Sequence, residues 1–463
     1  MKKNILIFLL AALLLTATFL YFFYYKEVDV TTQFTERQES QRLQYFKEIH
    51  MQNIRDVYGL TGKGSSVAIM GEMIDPTHPD LRGRINKQYD TYRTLLTGKQ
   101  DMPYAFDKLS LGHGHGTHIA GTLAANCDGI GLQGIACGAL LDAYSFGGYD
   151  EGEDINIIST FIVAFSRALD HITQENKIKI ATGSFNIESP AIFYEKSAYL
   201  YGKSASFIVD YVSKETTSFD DTLKKKGISL AHPLDKQYIK SYQDKLDTDD
   251  FSMLAFGSLL SFSKEWQTLE RSIQKYQNSG GVYLVTESNL VFGRTSILNA
   301  MPSMSQKVDK DLWLSVVMVQ PKGIETATSA DEFSKIIQKG EYITPINDCG
   351  ELAYEYCILT PSYAVLSTIT PRIKEPSETL YKIEDRTYQS FGGHSMGAPM
   401  VAGALALMQE YNKRESLGYT MKDLVRILKK SANRDFKGYD PKKHGQGILN
   451  IEGAIKLMHT LKK

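Results

Sequence analysis

The sequence predicts an α/β fold with a mainly parallel central sheet. Short strand-like runs alternate with segments of helical spacing along most of the chain, which is the pattern of repeated strand–helix–strand units. Two long polar stretches, 187–278 and 324–376, interrupt this pattern. With 463 residues, the chain has room for one large domain with insertions or for two domains. We interpret 26–52 as a polar stalk and lead-in helix, and 53–458 as the main domain.

Each predicted element rests on the spacing of its apolar residues. In the first strand, for example, Val67, Ile69 and Ile74 follow a break that contains glycine. The predicted strands are 66–74, 140–146, 178–185, 281–285 and 312–319. The predicted helices are 41–58, 116–125, 155–172, 398–411 and 420–431. The two long polar stretches are expected to be surface insertions, which often shape a binding cleft.

The N-terminus predicts an exported protein. Residues 5–25 carry no charge and, at about 1.5 Å per residue, could cross a hydrocarbon layer of roughly 30 Å. Lys2 and Lys3 precede them, which favours an orientation with the N-terminus inside. Residues 1–25 are therefore interpreted as an uncleaved membrane anchor or a cleaved signal peptide, with a buried helix as the remaining alternative. The anchor and the signal peptide both place the rest of the chain on the periplasmic or extracellular side.

The charge balance argues against a nucleic-acid partner. Lys and Arg number 52 against 53 for Asp and Glu, so the net charge is -1. No basic stripe of the kind that follows a phosphate backbone is present in the sequence.

Four cysteines agree with export. An even number of cysteines in an exported chain favours disulfides, and the spacing predicts local bridges Cys127–Cys137 and Cys349–Cys357. Buried free thiols are the alternative. No Cys-x-x-Cys pair occurs, and no metal site is expected.

One run, 391–403, predicts an exposed nucleophile. Ser395 lies among small residues there, and an apolar helical stretch follows. A helix that begins at this point would offer N–H groups and the positive end of its dipole to a developing oxyanion. A serine nucleophile needs a base, and the upstream run 112–122, Gly-His-Gly-His-Gly-Thr-His-Ile-Ala-Gly-Thr, supplies histidines.

These two runs resemble the signature blocks of the subtilisin-like serine proteases, G-T-S-M-A-A-P-x-V-A-G and G-H-G-T-H-x-A-G-T. Further similar segments follow in the family's order at 60–81, 129–136, 281–289 and 444–454. The resemblance implies the family's three-layer α/β/α fold. It also implies a serine endopeptidase that acts on proteins or peptides without a cofactor. The loop from Cys349 to Cys357 is similar to one in secreted subtilases of Gram-negative autotransporters.

The resemblance assigns roles by position. Ser395 would be the nucleophile, His115 the general base and acid, and Asn289 a donor to the oxyanion. The strand edge that would pair with the substrate backbone consists of Ser184, Phe185 and Asn186. Without the resemblance, His115 also fits a polar helix cap, and Asn289 fits a turn at the end of a strand.

The family's catalytic aspartate is missing from this sequence. Counting back from His78–Leu81 puts Gly71 at its position. The adjacent Glu72 would point to the opposite face of a regular strand, so it could replace the acid only if the strand were bulged or shortened by one residue. Asp75 is expected to lie past the turn. His394 stands where the family has threonine, and it could crowd the oxyanion site or act as a second base.

Three functions stay open at this point. Retention of the serine, histidine and asparagine favours a serine endopeptidase of weak activity. The missing aspartate and His394 favour a pseudoprotease that binds peptides or a protein partner. The run 393–397 also fits the G-x-S-x-G elbow of α/β-hydrolase esterases, but the preceding 386–391 is a poor strand and the histidine-rich block is left unexplained.

Overall fold

The structure is a computed structural model that describes residues 30–31, 45–91, 112–146, 157–185, 264–287, 296–327, 329–370, 380–383 and 385–461. Its strands are β1 Val30–Thr31, β2 Ser66–Gly71, β3 Ile85–Asp90, β4 Leu140–Ser145, β5 Ile180–Gly183, β6 Val282–Thr286, β7 Trp313–Met318, β8 Gln320–Pro321, β9 Tyr342–Ile343, β10 Cys357–Thr360, β11 Val365–Thr368, β12 Leu380–Ile383 and β13 Arg386–Phe391. Its α-helices are α1 Gln52–Asp56, α2 Gly112–Ala124, α3 Ile157–Glu175, α4 Lys264–Asn278, α5 Ile297–Met304, α6 Ala330–Gln338, α7 Gly350–Ala353, α8 His394–Arg414, α9 Met421–Ser431, α10 Pro441–His444 and α11 Ile451–Thr460.

Seven strands form the central sheet, in the order β10-β7-β6-β5-β2-β4-β3. Every neighbouring pair in it is parallel, which confirms the predicted mainly parallel sheet. Since parallel strands all end at the same edge, residues that follow neighbouring strands are brought close together.

Helices cover both faces of this sheet, so the fold is a three-layer α/β/α arrangement. Alternate residues of β2 point to opposite faces. Val67 and Ile69 pack into one core with α2, α8, α9 and α11, whereas Ala68 and Met70 pack into a second core with α3 and α4. Burial on both faces explains why the inner strands of the sheet are largely apolar, whereas the edge strand β3 is mostly polar and partly exposed.

A second sheet leads the chain into α8. Its order is β1-β12-β13-β11, and β13 is antiparallel to both of its neighbours. The ring N–H of His118 in α2 donates to the carbonyl oxygens of Val365 and Gln389, at 2.9 and 3.1 Å. The helix that carries His115 is thereby fixed to the strands that precede Ser395.

Several elements begin or end away from their predicted positions. β2 ends at Gly71, because this residue has a φ of +100° and the extended run stops there. Helices α2 and α8 each begin one turn earlier than predicted, at Gly112 and His394. Parts of the two expected insertions belong to the layers of the fold: α4 packs on α3, and β10 pairs with β7 in the central sheet.

Both expected disulfides are present in the structure. The Cα atoms are 5.7 Å apart in Cys127–Cys137 and 5.8 Å apart in Cys349–Cys357, within the ordinary range for a disulfide. The first bridge closes the loop after α2, and the second joins the start of α7 to β10.

A partly buried ion cluster joins three separate segments. The guanidinium of Arg386 lies 3.2 Å from Oδ1 of Asp80, and it donates to both carboxylate oxygens of Asp128 at 3.2 and 2.7 Å. It also donates to the carbonyl oxygen of Ile130 at 2.8 Å, while the hydroxyl of Tyr388 donates to Asp80 at 2.8 Å. The cluster therefore fixes β13 to the turn after β2 and to the loop after α2.

The predicted N-terminal segment, 1–25, lies outside the described residues, as does most of the predicted stalk. Across the ranges that the structure describes, no helix combines the length and the apolar character needed to span a membrane.

Candidate active site

The side chains singled out from the sequence gather at the carboxyl edge of the central sheet. β2 and β5 are neighbours, and Glu72 and Ser184 follow their last residues. A hydrogen bond links Glu72 to His115 in the first turns of α2, and another links Ser184 to Ser395 in the first turn of α8. Two strand ends and two helix starts thus meet in one place.

The first of these contacts joins Nδ1 of His115 to Oε1 of Glu72. Both side chains are partly exposed, at 31% for His115 and 18% for Glu72. When Nδ1–H donates to a carboxylate, the imidazole is held in the tautomer whose Nε2 can accept a proton. The pair therefore has the geometry of the base and acid of a catalytic triad.

Two glycines allow Glu72 to reach the histidine. The turn at Gly71, with its positive φ, ends the alternation of β2, so Glu72 no longer points to the face that a regular strand would dictate. A Cβ on Gly116 would lie 2.1 Å from the carbonyl oxygen of Met73, so glycine there permits the close approach of α2. The strand therefore ends one residue before Glu72.

Phe185 occupies the space beside Gly71. A Cβ at position 71 would lie 2.5 Å from Cδ1 of the Phe185 ring. The ring packs against Phe146 and Phe165, with centroids 5.2 and 5.6 Å away. An aspartate side chain at position 71 has no room in this packing.

Ser395 lies in the first turn of α8, where backbone N–H groups lack intrahelical acceptors and can point toward a developing oxyanion. Pro399, four residues later, has no N–H to bond the carbonyl oxygen of Ser395. The hydroxyl of Ser184 donates to that oxygen instead, at 2.9 Å. Among the described residues, the Ser395 hydroxyl is not hydrogen-bonded to His115, and in enzymes without substrate this bond is often long.

His394 is turned into the protein and not toward the site. Its side chain is fully buried, and its Nδ1 accepts a hydrogen bond from the N–H of Met318 at the end of β7, at 2.7 Å. Burial lowers the pKa of His394 to about 3, so the ring is neutral near pH 7. The structure therefore gives no support to a second base here, and His394 instead fastens the first turn of α8 to the sheet.

Opposing effects act on the pKa of His115. Burial lowers it, but the charge of Glu72 and the hydrogen bond to that carboxylate outweigh the burial, so the net pKa is raised. A raised pKa makes the neutral imidazole a stronger base. Its protonated form is stabilised by Glu72 once a proton has been taken up.

Acidification is expected to destabilise the fold. Unfolded histidines take up a proton near pH 6.5, whereas folded His118 and His394, whose pKa values burial lowers to about 3, stay neutral. Between these values the unfolded chain binds more protons, so the free energy of unfolding falls by about 1.4 kcal/mol per pH unit for each histidine. Burial raises the pKa of Asp80 to about 6, so at this residue the folded chain binds a proton more readily than the unfolded chain. This cancels the destabilising contribution of roughly one of the two histidines.

Urea unfolding at about pH 7 and pH 5 measures this effect. His394→Gln keeps an acceptor for the Met318 N–H. It is expected to reduce the slope of the free energy of unfolding against pH by up to the contribution of one proton. His459→Gln, at an exposed position, is the matched control and leaves the slope unchanged. An unaltered slope in His394→Gln contradicts a buried neutral histidine at this position.

Three other asparagine and aspartate residues discussed for the site do not contribute to these contacts in the described part of the chain. Asn289 and Asn186 lie outside the described residues. Asp75 lies past the turn, as expected, and its carboxylate accepts from the N–H and the hydroxyl of Thr77 at 2.9 and 2.6 Å.

Glu287 is a buried carboxylate that the sequence analysis did not single out. It accepts from the N–H of Ser296 at 2.7 Å and from the side-chain amide of Asn299 at 2.6 Å. These bonds join the end of β6 to the start of α5, on either side of the segment 288–295 that contains Asn289. A charged residue that directly follows the apolar run 282–286 was the signal for it.

The three-layer fold is that of the subtilisin-like serine proteases. Residues 62–229 and 302–454, more than half of the chain, match the model of the subtilase family, peptidase S8. The chain therefore belongs to the subtilase family, a membership that supports a serine endopeptidase.

Individual relatives match at low identity or over short stretches. The minor extracellular protease Vpr of Bacillus subtilis (strain 168) is 23% identical over 447 residues, covering 86% of this chain and 52% of Vpr. Fervidolysin of Fervidobacterium pennivorans is 40% identical over 79 residues, covering 17% of this chain and 10% of fervidolysin. The chain thus spans about half the length of Vpr, and its match to fervidolysin is shorter still.

Two solved structures share the fold. The crystal structure of fervidolysin has a TM-score of 0.54 at 16% identity, covering 93% of this chain and 50% of that chain. The crystal structure of a lanthipeptide protease has a TM-score of 0.52 at 15% identity, covering 93% of this chain and 100% of that chain. At these identities the likeness concerns the fold.

Proposed function

We propose that the chain is a serine endopeptidase whose triad consists of Ser395, His115 and Glu72. In this proposal Glu72 takes the place of the aspartate that Gly71 has replaced. The observation that carries the proposal is the hydrogen bond between Nδ1 of His115 and the carboxylate of Glu72. The position of Ser395 in the first turn of α8 and the membership of the subtilase family support it further.

The chemistry is acyl transfer to water. Oγ of Ser395 attacks the carbonyl carbon of the scissile peptide bond, and Nε2 of His115 takes the hydroxyl proton. Glu72 stabilises the imidazolium through Nδ1, and the N–H groups at the start of α8, with Asn289 as predicted, receive the oxyanion. His115 then protonates the leaving amine, and a water molecule repeats the sequence to release the acid.

The presence of Glu72 also changes the catalytic rate that is expected. Loss of the triad acid in subtilisin lowers kcat by about 3 × 10⁴, so an enzyme with serine and histidine alone would be slow. With Glu72 in place, the acid's role is filled by a carboxylate one residue later in the chain, and the weak activity expected from Gly71 alone need not follow.

The proposed place of action is outside the cytoplasm. Both disulfides form in a chain that has no remaining free cysteine, and stable disulfides belong to oxidising compartments. Vpr, a relative over most of this chain, is an extracellular protease by name. The apolar segment 5–25 would direct export, and N-terminal sequencing of the secreted or membrane fraction would show whether it is removed.

Fluorophosphonate labelling of the full chain tests the proposal, since the probe reacts only with an activated serine and needs no known substrate. We expect labelling of the wild type and its loss in Ser395→Ala and in His115→Ala. Ser390→Ala, on the strand just before α8, is the control and keeps the label. Absence of labelling in a folded wild type overturns the proposal and favours the pseudoprotease.

A further inference from the structure

We propose that a lysine-rich groove at the amino edge of the sheet binds a small phosphate-bearing anion. The groove encloses about 440 Å³ and is lined by four lysines but by only one acidic residue, Glu410. The lysines are Lys63, Lys177, Lys179 and Lys413. Its size falls in the range of small-molecule sites.

The groove is distinct from the candidate active site. It includes Ser66, the first residue of β2, whereas Glu72 follows the last residue of that strand. At about 3.3 Å per residue, the two edges are roughly 20 Å apart. Helix α8 runs between the two places, with Ser395 in its first turn and Lys413 in its last.

The single carboxylate in the groove is already satisfied by neutral donors. Oε2 of Glu410 accepts from the backbone N–H groups of Thr61, Gly62 and Lys63, at 2.7, 2.6 and 3.3 Å. It therefore fixes the loop at the rim of the groove and is not ion-paired with a lysine side chain. Four lysines against one carboxylate leave the groove with an excess of positive charge.

Three of the ammonium groups are available to a ligand. Within the described ranges, Lys63, Lys177 and Lys413 are exposed and have no carboxylate partner within ion-pair distance. The fourth, Lys179, donates to the side-chain oxygen of Asn176 and to the carbonyl oxygen of Ser279, and burial lowers its pKa. A multivalent anion in the groove could therefore be bound by more than one of these exposed lysines.

The donor types favour phosphate. Lysine binds phosphate as a compact point charge, and several lysines can share one multivalent anion. The whole chain has a net charge of -1, so general attraction of anions to its surface is not expected. A linear oligophosphate carries charge along its length, so it can meet several of these lysines at once.

Calorimetric titration of the full chain with sodium tripolyphosphate, at low ionic strength and about pH 7, tests the proposal. We expect one saturable site that weakens with added salt. The variant Lys63→Gln/Lys177→Gln/Lys413→Gln should bind at least about tenfold more weakly. The control Lys47→Gln/Lys339→Gln/Lys430→Gln removes the same charge at exposed positions outside the groove, and should bind within about twofold of the wild type.

Equal weakening in both triple variants overturns the site, since it would reflect net charge alone. Binding of hexaglutamate as tight as that of tripolyphosphate overturns the choice of phosphate. A second measurement does not depend on variants: tripolyphosphate should protect Lys63, Lys177 and Lys413, but not Lys47, from acylation by an N-hydroxysuccinimide ester. Loss of this selectivity contradicts the groove as the binding place.

Discussion

Glu72→Gln is expected to slow fluorophosphonate labelling of Ser395 by about 10⁴-fold, the scale on which serine proteases lose activity when the triad acid is changed. Glutamine keeps the size of the side chain but removes the charge that stabilises protonated His115. Because Glu72 raises the pKa of His115, the pH at which labelling reaches half its maximum should also shift to lower values in the variant. The second-order labelling rate, measured from about pH 5 to pH 9, gives both results.

One further variant separates the charge of the Glu72 side chain from its length, and another serves as the control. Glu72→Asp retains the charge but is one methylene shorter, so an intermediate rate is expected. Glu325→Gln, at an exposed glutamate outside the site, should leave the rate unchanged. If Glu72→Gln labels within about threefold of the wild type, Glu72 is not the acid, and serine and histidine act without one.

Gly71→Asp, which puts an aspartate at the position predicted for the family's catalytic acid, is expected to impair the protein. The backbone at position 71 has a φ of +100°, and a side chain there would collide with Phe185. Strain of this kind and overpacking each cost about 1–3 kcal/mol, so the free energy of unfolding should fall by about 2–6 kcal/mol. Urea unfolding measures the loss, and the labelling rate should not rise above that of the wild type.

A second glycine supplies the matched control. Gly83 also has a positive φ, +75°, but a Cβ there meets nothing within 4 Å. Gly83→Ala therefore reports the backbone strain alone, and Gly71→Ala adds the contact with Phe185. A Gly71→Asp protein that is as stable as the wild type and labels faster would show that the acid belongs at position 71 and that Glu72 is not needed.

The sheet was predictable because buried parallel strands leave a strong apolar signal. The contact between Glu72 and His115 was harder to predict. Counting back from His78–Leu81 places the family's aspartate position at Gly71. In a regular strand the side chain of the next residue, Glu72, would then point away from His115. The positive φ of Gly71 ends that alternation, and the ring that fills the space beside it, Phe185, is more than a hundred positions away in the sequence.

The two segments predicted to be insertions contain elements of the fold itself. Helix α4 lies at the end of the first segment, and its Trp266, Leu269, Ile273 and Tyr276 are spaced by three or four residues. That helical pattern is present in the sequence, but the long polar stretch before it gives no signal for where the insertion ends and the helix begins. The role of His394 was not predictable at all, because it depends on the N–H of Met318, brought to α8 by the sheet.

The ion cluster around Arg386 affects how the protein responds to its solution. A guanidinium attached to the main chain cannot diffuse away, so its effective concentration beside Asp80 and Asp128 is set by the polypeptide. It also keeps its proton at every pH at which the protein is folded. The junction between the turn after β2, the loop after α2 and strand β13 should therefore withstand dilution, dialysis and chelating agents alike.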